Sequence, residues 1–334
     1  MAYQFIHPER LAFEIRRVAT ERLQNALDQL GSELARDPAV AVHTARKDIK
    51  KTRSLLRLVK DAIGEDRFTA ENDRLRAAAQ LLAGAREANA QAEALEALIE
   101  HAESSLSAET LADARGWLQA MSIKSDPSPD VVEAAAEASA LIERARDDAR
   151  LWSLGYGSFE LIAPGLRRTY RQGRRRLGAA THDPSDETVH EWRKRVKDTW
   201  YSLRLIGAAW EPVIRPLADQ AHNLSEMLGD HHDLGEVRIA IESGEANLTV
   251  TAKAELVTLV NARQAELHRE SISLGRRLYS EKPRRYVSKL EGLWRAWEDD
   301  DASRQVEHSG LPGSYSQSSK ESGTDSAVTA SIRS

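Results

Sequence analysis

Apolar residues recur at three- and four-residue steps through most of the first 297 positions. Two stretches carry the pattern most cleanly. In one, Val42, Ala45, Ile49, Thr52, Leu56 and Val59 line up; in the other, Val189, Trp192, Val196, Thr199, Leu203 and Ile206 do. Each set predicts a helix with a single seam turned toward a bundle core. Strand signals are missing, with few alternating Val/Ile/Thr runs and no Asn-Gly turn. Ala, Leu, Arg and Glu dominate, all good helix formers. Breaks are predicted at Asp37-Pro38, Ile63-Gly64, Ser125–Pro129, Gly155–Gly157, Asp183-Pro184, Glu211–Pro216, Ser243-Gly244 and Lys282-Pro283. Pro-Ser-Asp-Glu at 184–187 reads as a helix start. The expected fold class is all-α, with helices packed side by side in bundles.

The two seams belong to an internal duplication. Val42-His43-Thr44-Ala45-Arg46-Lys47-Asp48-Ile49-Lys50 matches Val189-His190-Glu191-Trp192-Arg193-Lys194-Arg195-Val196-Lys197 at an offset of 147 residues, which also carries Arg57 onto Arg204. Beside each seam runs a stripe of cations: Arg46, Lys50, Arg53, Arg57 and Lys60, edged by His43 and Lys47, in the first copy; His190, Arg193, Lys194, Lys197 and Arg204 in the second. Both histidines are expected in the first turn of their helices. The preceding helices are basic too, with Arg16, Arg17 and Arg22 in the first half and Arg167, Arg168, Arg171, Arg174 and Arg175 in the second. Like charges at i,i+4 cost a helix roughly 0.2–0.5 kcal/mol per pair, so repeated pairs on one face call for a compensating anion.

Charge is segregated along the chain. The formal net charge is −5, yet residues 1–60 carry +5, 61–150 carry −10, 151–297 carry +4 and 298–334 carry −4. Such asymmetry speaks of partners rather than fold. The acidic run 93–113 reads as a solvated outer face that also keeps a polyanion off the back of the molecule. The tail opens with Glu298, Asp299, Asp300 and Asp301 and turns rich in Ser and Gly, so residues 298–334 are expected to be disordered. The halves are expected to span 1–150 and 151–297.

Composition removes several classes. Cysteine is absent, which excludes disulfides, a thiol catalyst and a cysteine-based zinc site. No apolar run approaches the roughly 20 residues of a membrane span, and the charged N-terminus holds no signal-peptide core. The expectation is a soluble, cytoplasmic protein without membrane contact. Neither a Walker loop nor a nucleophile elbow occurs, so no enzyme, catalytic residue or cofactor is expected. His231, His232 and Asp233, with His222 upstream, match no standard zinc spacing. That stretch reads instead as a helix end, broken at Gly229 and capped by Asp230 or Asp233.

With these residues in view, the sequence resembles the CHAD family, the conserved histidine α-helical domain. The resemblance rests on His43-x-x-Arg46-Lys47-x-x-Lys50, its copy His190-x-x-Arg193-Lys194-x-x-Lys197, Leu228-Gly229-x-x-x-Asp233, and Leu278–Pro283 followed by Leu293-Trp294. It covers about residues 5–298. Glu87 stands where the family pattern has Asp, and Ala83 matches Gly229, so the second half is closer to that pattern. The resemblance implies two four-helix-type bundles related by a pseudo-twofold. Between them it implies a basic groove or pore that binds inorganic polyphosphate, with a location at polyphosphate granules. Some members carry a fused triphosphate-tunnel catalytic domain, and no alternating Glu-x-Glu-x-Lys strand suggests one here.

The cations suit that ligand. Polyphosphate is a flexible anion without bases, Arg offers its phosphates a bidentate fork, and Lys offers a point charge. The candidate binding residues are Arg16, Arg17, His43, Arg46, Lys47, Lys50, Arg57, Arg167, Arg168, Arg171, Arg174, His190, Arg193, Lys194, Lys197 and Arg204, with Lys282 and Arg284 at the periphery. A nonspecific nucleic-acid-binding helical protein is the second reading, and an accessory to a phosphate-handling hydrolase the third. Against nucleic acid stand the acidic total charge, the scarcity of rings beside the stripes beyond Trp200 and Tyr201, and the lack of base-reading Asn or Gln on either stripe.

Overall fold

The computed structural model describes residues 3–83, 87–102, 106–123, 130–155 and 157–309. Among them are eleven α-helices and no strand. In chain order they are α1 (Leu11–Asp28), α2 (Pro38–Ile63), α3 (Glu65–Leu81), α4 (Glu87–Ala102), α5 (Ala108–Ile123), α6 (Asp130–Arg150), α7 (Ala163–His182), α8 (Asp186–Leu205), α9 (Glu211–Ser243), α10 (Val250–Leu278) and α11 (Pro283–Ser309).

The helices that carry the repeated segments start where local chemistry says they should. Asp37 caps α2, accepting from the Val40 N–H at 3.0 Å, with Pro38 in the first turn. Ser185 caps α8 through the Thr188 N–H, and Asp186 and Glu187 face the positive end of the dipole. All twelve seam residues predicted from periodicity are buried. His43 and His190 fall in the second turn of their helices rather than the first, and the caps are other residues.

α1, α2, α3 and α6 pack together, and α7, α8, α9 and α10 form a second group closed by α11. One hydrophobic core runs through both groups. The hairpin α4–α5 lies in the first half of the sequence but packs on α9 and α10, around Leu95, Leu98, Leu234, Val237 and Leu256. Its acidic residues Glu93, Glu96, Glu100 and Glu109 are exposed.

The groups meet where α2 contacts α7 and α8. Gly165 makes the α7 crossing feasible: a Cβ there would sit 1.8 Å from the Leu58 carbonyl oxygen. The N-terminal segment is threaded into the junction. Phe5 N–H donates to the Leu205 carbonyl (2.8 Å), and the Tyr3 hydroxyl donates to the Lys51 carbonyl (2.9 Å).

Three expectations change. The predicted break at Glu211–Pro216 is instead the start of α9, which runs through Pro216; both Pro212 and Pro216 are exposed, so the carbonyl that loses a donor is within reach of water. Gly229 does not end a helix: α9 continues through Gly229–Asp233, because a neighbouring side chain fills the space that Gly229 leaves. α11 extends through 298–309, within the segment expected to be disordered. Residues 310–334 and the Ser125–Pro129 break lie outside the described residues.

Candidate cationic site

Each repeated helix has two chemically different sides. On α2, Asp48 faces α1, meeting Arg22 at 3.5 Å and Asn25. On α8, the equivalent Arg195 faces α7, where it donates to Gln172 at 3.3 Å. The stripes lie on the other side, against the third helix of each group. Arg46 donates to the Ala79 carbonyl of α3 at 2.9 Å. Arg193 lies over the α9 backbone at Gly229, where a Cβ would come within 2.6 Å of its Nη2.

α2 and α8 share a cleft of about 490 Å³. Lys47 enters it from α2, and Trp200 and Arg204 enter from α8. Tyr3 and Gln4 close one side, and His222 on α9 closes another. Trp200 stacks flat on His222, with centroids 4.1 Å apart, and Arg204 lies over the same indole at 5.7 Å. These contacts orient the cation without neutralising it. Arg215 also lines the cleft, paired with Glu211 at 2.6 Å.

The local field is positive. Burial, reinforced by the guanidinium groups of Arg57 and Arg76, pushes Arg53 down to about 10. His190 is pushed down to about 4 by burial, then by His232, Lys194 and Arg193. Its ring packs 4.3 Å from that of His232, and its Nδ1 is buried with no hydrogen-bond partner among the described residues. Neutral at pH 7, it offers an anion a hydrogen-bonding group rather than a charge.

The sequence-predicted cations divide by what they touch. Arg46, Lys47, Lys50, Arg193, Lys197 and Arg204, with His43 and His190, stand on the α2 and α8 stripes. Arg57 also stands on the first stripe but is spent on Asp198 of α8, at 2.9 and 2.6 Å, joining the two groups. Lys194 pairs with Glu191 at 2.5 Å. Arg17 is held by Glu14 (2.7 Å), Glu21 (3.0 Å) and the Gln4 carbonyl (2.8 Å), and so anchors the N-terminal segment. Arg16 donates to the Trp152 carbonyl at 2.9 Å. Arg168 bonds Asp61 and the Arg57 carbonyl. Arg167, Arg171 and Arg174 are exposed on α7, with Lys282 and Arg284 exposed nearby at the start of α11. The structure does not bring the α1 and α7 arginines onto the stripes, because those helices pack on the opposite sides of α2 and α8.

Sequence reasoning missed Tyr3, Gln4 and His222 as cleft residues. Neither the His222–Trp200 stack nor the N-terminal segment had a signal in the repeated pattern. Among the described residues no group of three His, Cys, Asp or Glu is placed to hold a metal ion. His231 and His232 diverge: the first is buried near Asp186 (3.7 Å), the second lies against His190.

An all-helical protein in which two cation-bearing helices share one cleft is thus the class that fold and site define. The chain belongs to the CHAD family: a model of the CHAD domain matches residues 17–242. The family is associated with polyphosphate binding, and its domain is generally a non-catalytic binding module. Among solved structures the fold is similar to PptA from Streptomyces chartreusis, with a TM-score of 0.53 and 15% identity over 81% of this chain and 99% of that one. No curated protein matches the chain. Among the described residues no helix is long and apolar enough to cross a membrane.

Proposed function

We propose that this protein binds inorganic polyphosphate without transforming it, along the paired stripes of α2 and α8, and that it acts at polyphosphate granules. The observation that carries the reading is the cleft shared by α2 and α8, lined by Lys47 and Arg204 beside Glu211 and Asp219, with Arg204 lacking a carboxylate partner among the described residues. One linear anion laid across it engages both copies.

Calorimetric titration tests it. A charge-assisted contact contributes roughly 1.5–3 kcal/mol, or about 10- to 150-fold in affinity. Lys47→Ala with Arg204→Ala should therefore weaken polyphosphate binding at least about tenfold while leaving the thermal transition in place. Unchanged affinity would refute the site. Equal-charge single-stranded DNA, competing at one salt concentration, should displace polyphosphate poorly. Phosphate release from polyphosphate, with or without divalent metal, should stay at background.

A further inference from the structure

We infer that the protein carries a second polyanion surface, on the outer face of α7 and the start of α11, and that it thereby joins two polyphosphate chains; the inference rests on the polyphosphate reading above. α7 holds six arginines and no acid. Arg167, Arg171, Arg174 and Arg175 are all exposed, and none has a carboxylate partner among the described residues. Lys282 and Arg284 extend the patch. The chain before α11 is fastened to α7: Arg174 donates to the Glu281 carbonyl at 3.0 Å, the Glu281 N–H donates to the Tyr170 hydroxyl at 3.1 Å, and Tyr286 stacks on Tyr170 at 3.9 Å.

This patch and the stripes lie on different sides of α8. α7 meets α8 through Gln172–Arg195 (3.3 Å) and Arg176–Glu191 (3.6 Å). Arg193 and Lys197 stand two residues to either side of Arg195, about 200° round the helix. One helix layer, about 8–10 Å between axes, therefore separates the surfaces, comparable to the screening length at physiological salt. On α1, Arg16 donates to the Trp152 carbonyl and Arg17 pairs with Glu14 and Glu21.

The partner chemistry follows from what the patch lacks. No large apolar side chain is exposed on α7 or at 282–285, so nothing would insert into a lipid surface. Its rings, Tyr170, Tyr279 and Tyr286, are buried, leaving none for base stacking. Repulsion at Arg167/Arg171 and Arg171/Arg175 costs roughly 0.2–0.5 kcal/mol per pair with no internal offset. A flexible phosphate chain, contacted through charge alone, fits. Two such surfaces on one molecule make it a cross-linker.

The test uses the full chain with short, defined-length polyphosphate in calorimetry and long polyphosphate in light scattering. The wild type should bind two short chains and cloud with long ones. Arg167→Glu/Arg171→Glu/Arg174→Glu, all exposed and checked for fold by circular dichroism, should bind one short chain, with stripe affinity within about twofold of wild type, and should no longer cloud. One short chain on the wild type, or undiminished clouding by the variant, would overturn the inference while leaving the stripe reading intact. Loss of all short-chain binding in the variant would make the two surfaces one and overturn it as well. Displacement from the α7 face by equal-charge single-stranded DNA would reassign the patch to nucleic acid. A wild type that binds no polyphosphate at all would remove both readings.

Discussion

Replacing Gly229 with alanine should separate binding from stability. Gly229 lies in the middle of α9, where glycine costs roughly 0.5–1 kcal/mol relative to alanine. The vacant side-chain position is occupied by the Arg193 guanidinium: a Cβ would come within 2.6 Å of Nη2 and 3.1 Å of Cζ. Ordinary contact begins at 3.4 Å, so the guanidinium must withdraw by about 0.8 Å. It can do so cheaply, being the end of a flexible chain whose Nε has no hydrogen-bond partner among the described residues. Gly229→Ala should thus leave the protein as stable as before or up to about 1 kcal/mol more stable. The same displacement should cost one misaligned phosphate contact, roughly 1.5–3 kcal/mol of binding. Urea denaturation and polyphosphate titration of the same preparation read both numbers. A loss of stability above about 1 kcal/mol would mean that Arg193 cannot move. Full affinity in the Gly229→Ala variant would remove Arg193 from the binding surface.

Two further perturbations test the architecture. Glu71 is 2% exposed on α3, held by Arg74 (2.9 Å), which also meets Asp148 of α6 at 2.6 Å. Burial, with Asp148 adding to it against the opposing pull of Arg74, raises Glu71 from 4.5 to about 7. The folded state therefore holds a proton that the unfolded chain has released between these values, so the protein loses stability as pH rises through that window, on the order of 3 kcal/mol. Glu71→Gln should abolish the loss: similar stability to wild type near pH 4.5 and greater stability at pH 8 are expected, and parallel urea-denaturation profiles across that range would count against it. Asp198 is 2% exposed and carries both Arg57 (2.6 Å) and Arg195 (3.1 Å). Asp198→Ala strands two guanidinium groups at the junction and should cost about 3–5 kcal/mol in chemical denaturation, with a loss under about 1 kcal/mol refuting the strut.

What was legible in the sequence is what a single helix controls. Periodicity placed all twelve seam residues in the core, and Asp37 and Ser185 started their helices, because burial faces and caps depend on residues three or four positions apart. Gly229 misleads for the opposite reason. A glycine in a helix looks like a stop until the side chain that fills its space is known, and Arg193 is 36 positions away. The fate of the arginines was illegible in the same way. Nothing local marks Arg57 for Asp198, 141 positions away, whereas Arg17 has Glu14 and Glu21 within one turn. Nor does composition reveal that α4 and α5 desert their own half for α9 and α10.

The two similar segments differ by a charge exchange beside the cleft. The offset of 147 sets Asp48 against Arg195 and Lys51 against Asp198, so each copy holds the same i,i+3 ion pair with its signs reversed: Lys51–Asp48 at 2.7 Å and Arg195–Asp198 at 3.1 Å. Arg57 reaches across the junction and finds Asp198. Its counterpart Arg204 would need a carboxylate where the first copy has Lys51, and like charges at close range repel. Arg204 turns instead onto the face of Trp200, keeps its charge, and shares the cleft with Lys47. Arg57–Asp198 and Arg168–Asp61 therefore tie the two groups together, while Arg204, without a carboxylate partner among the described residues, lies over Trp200 in the cleft.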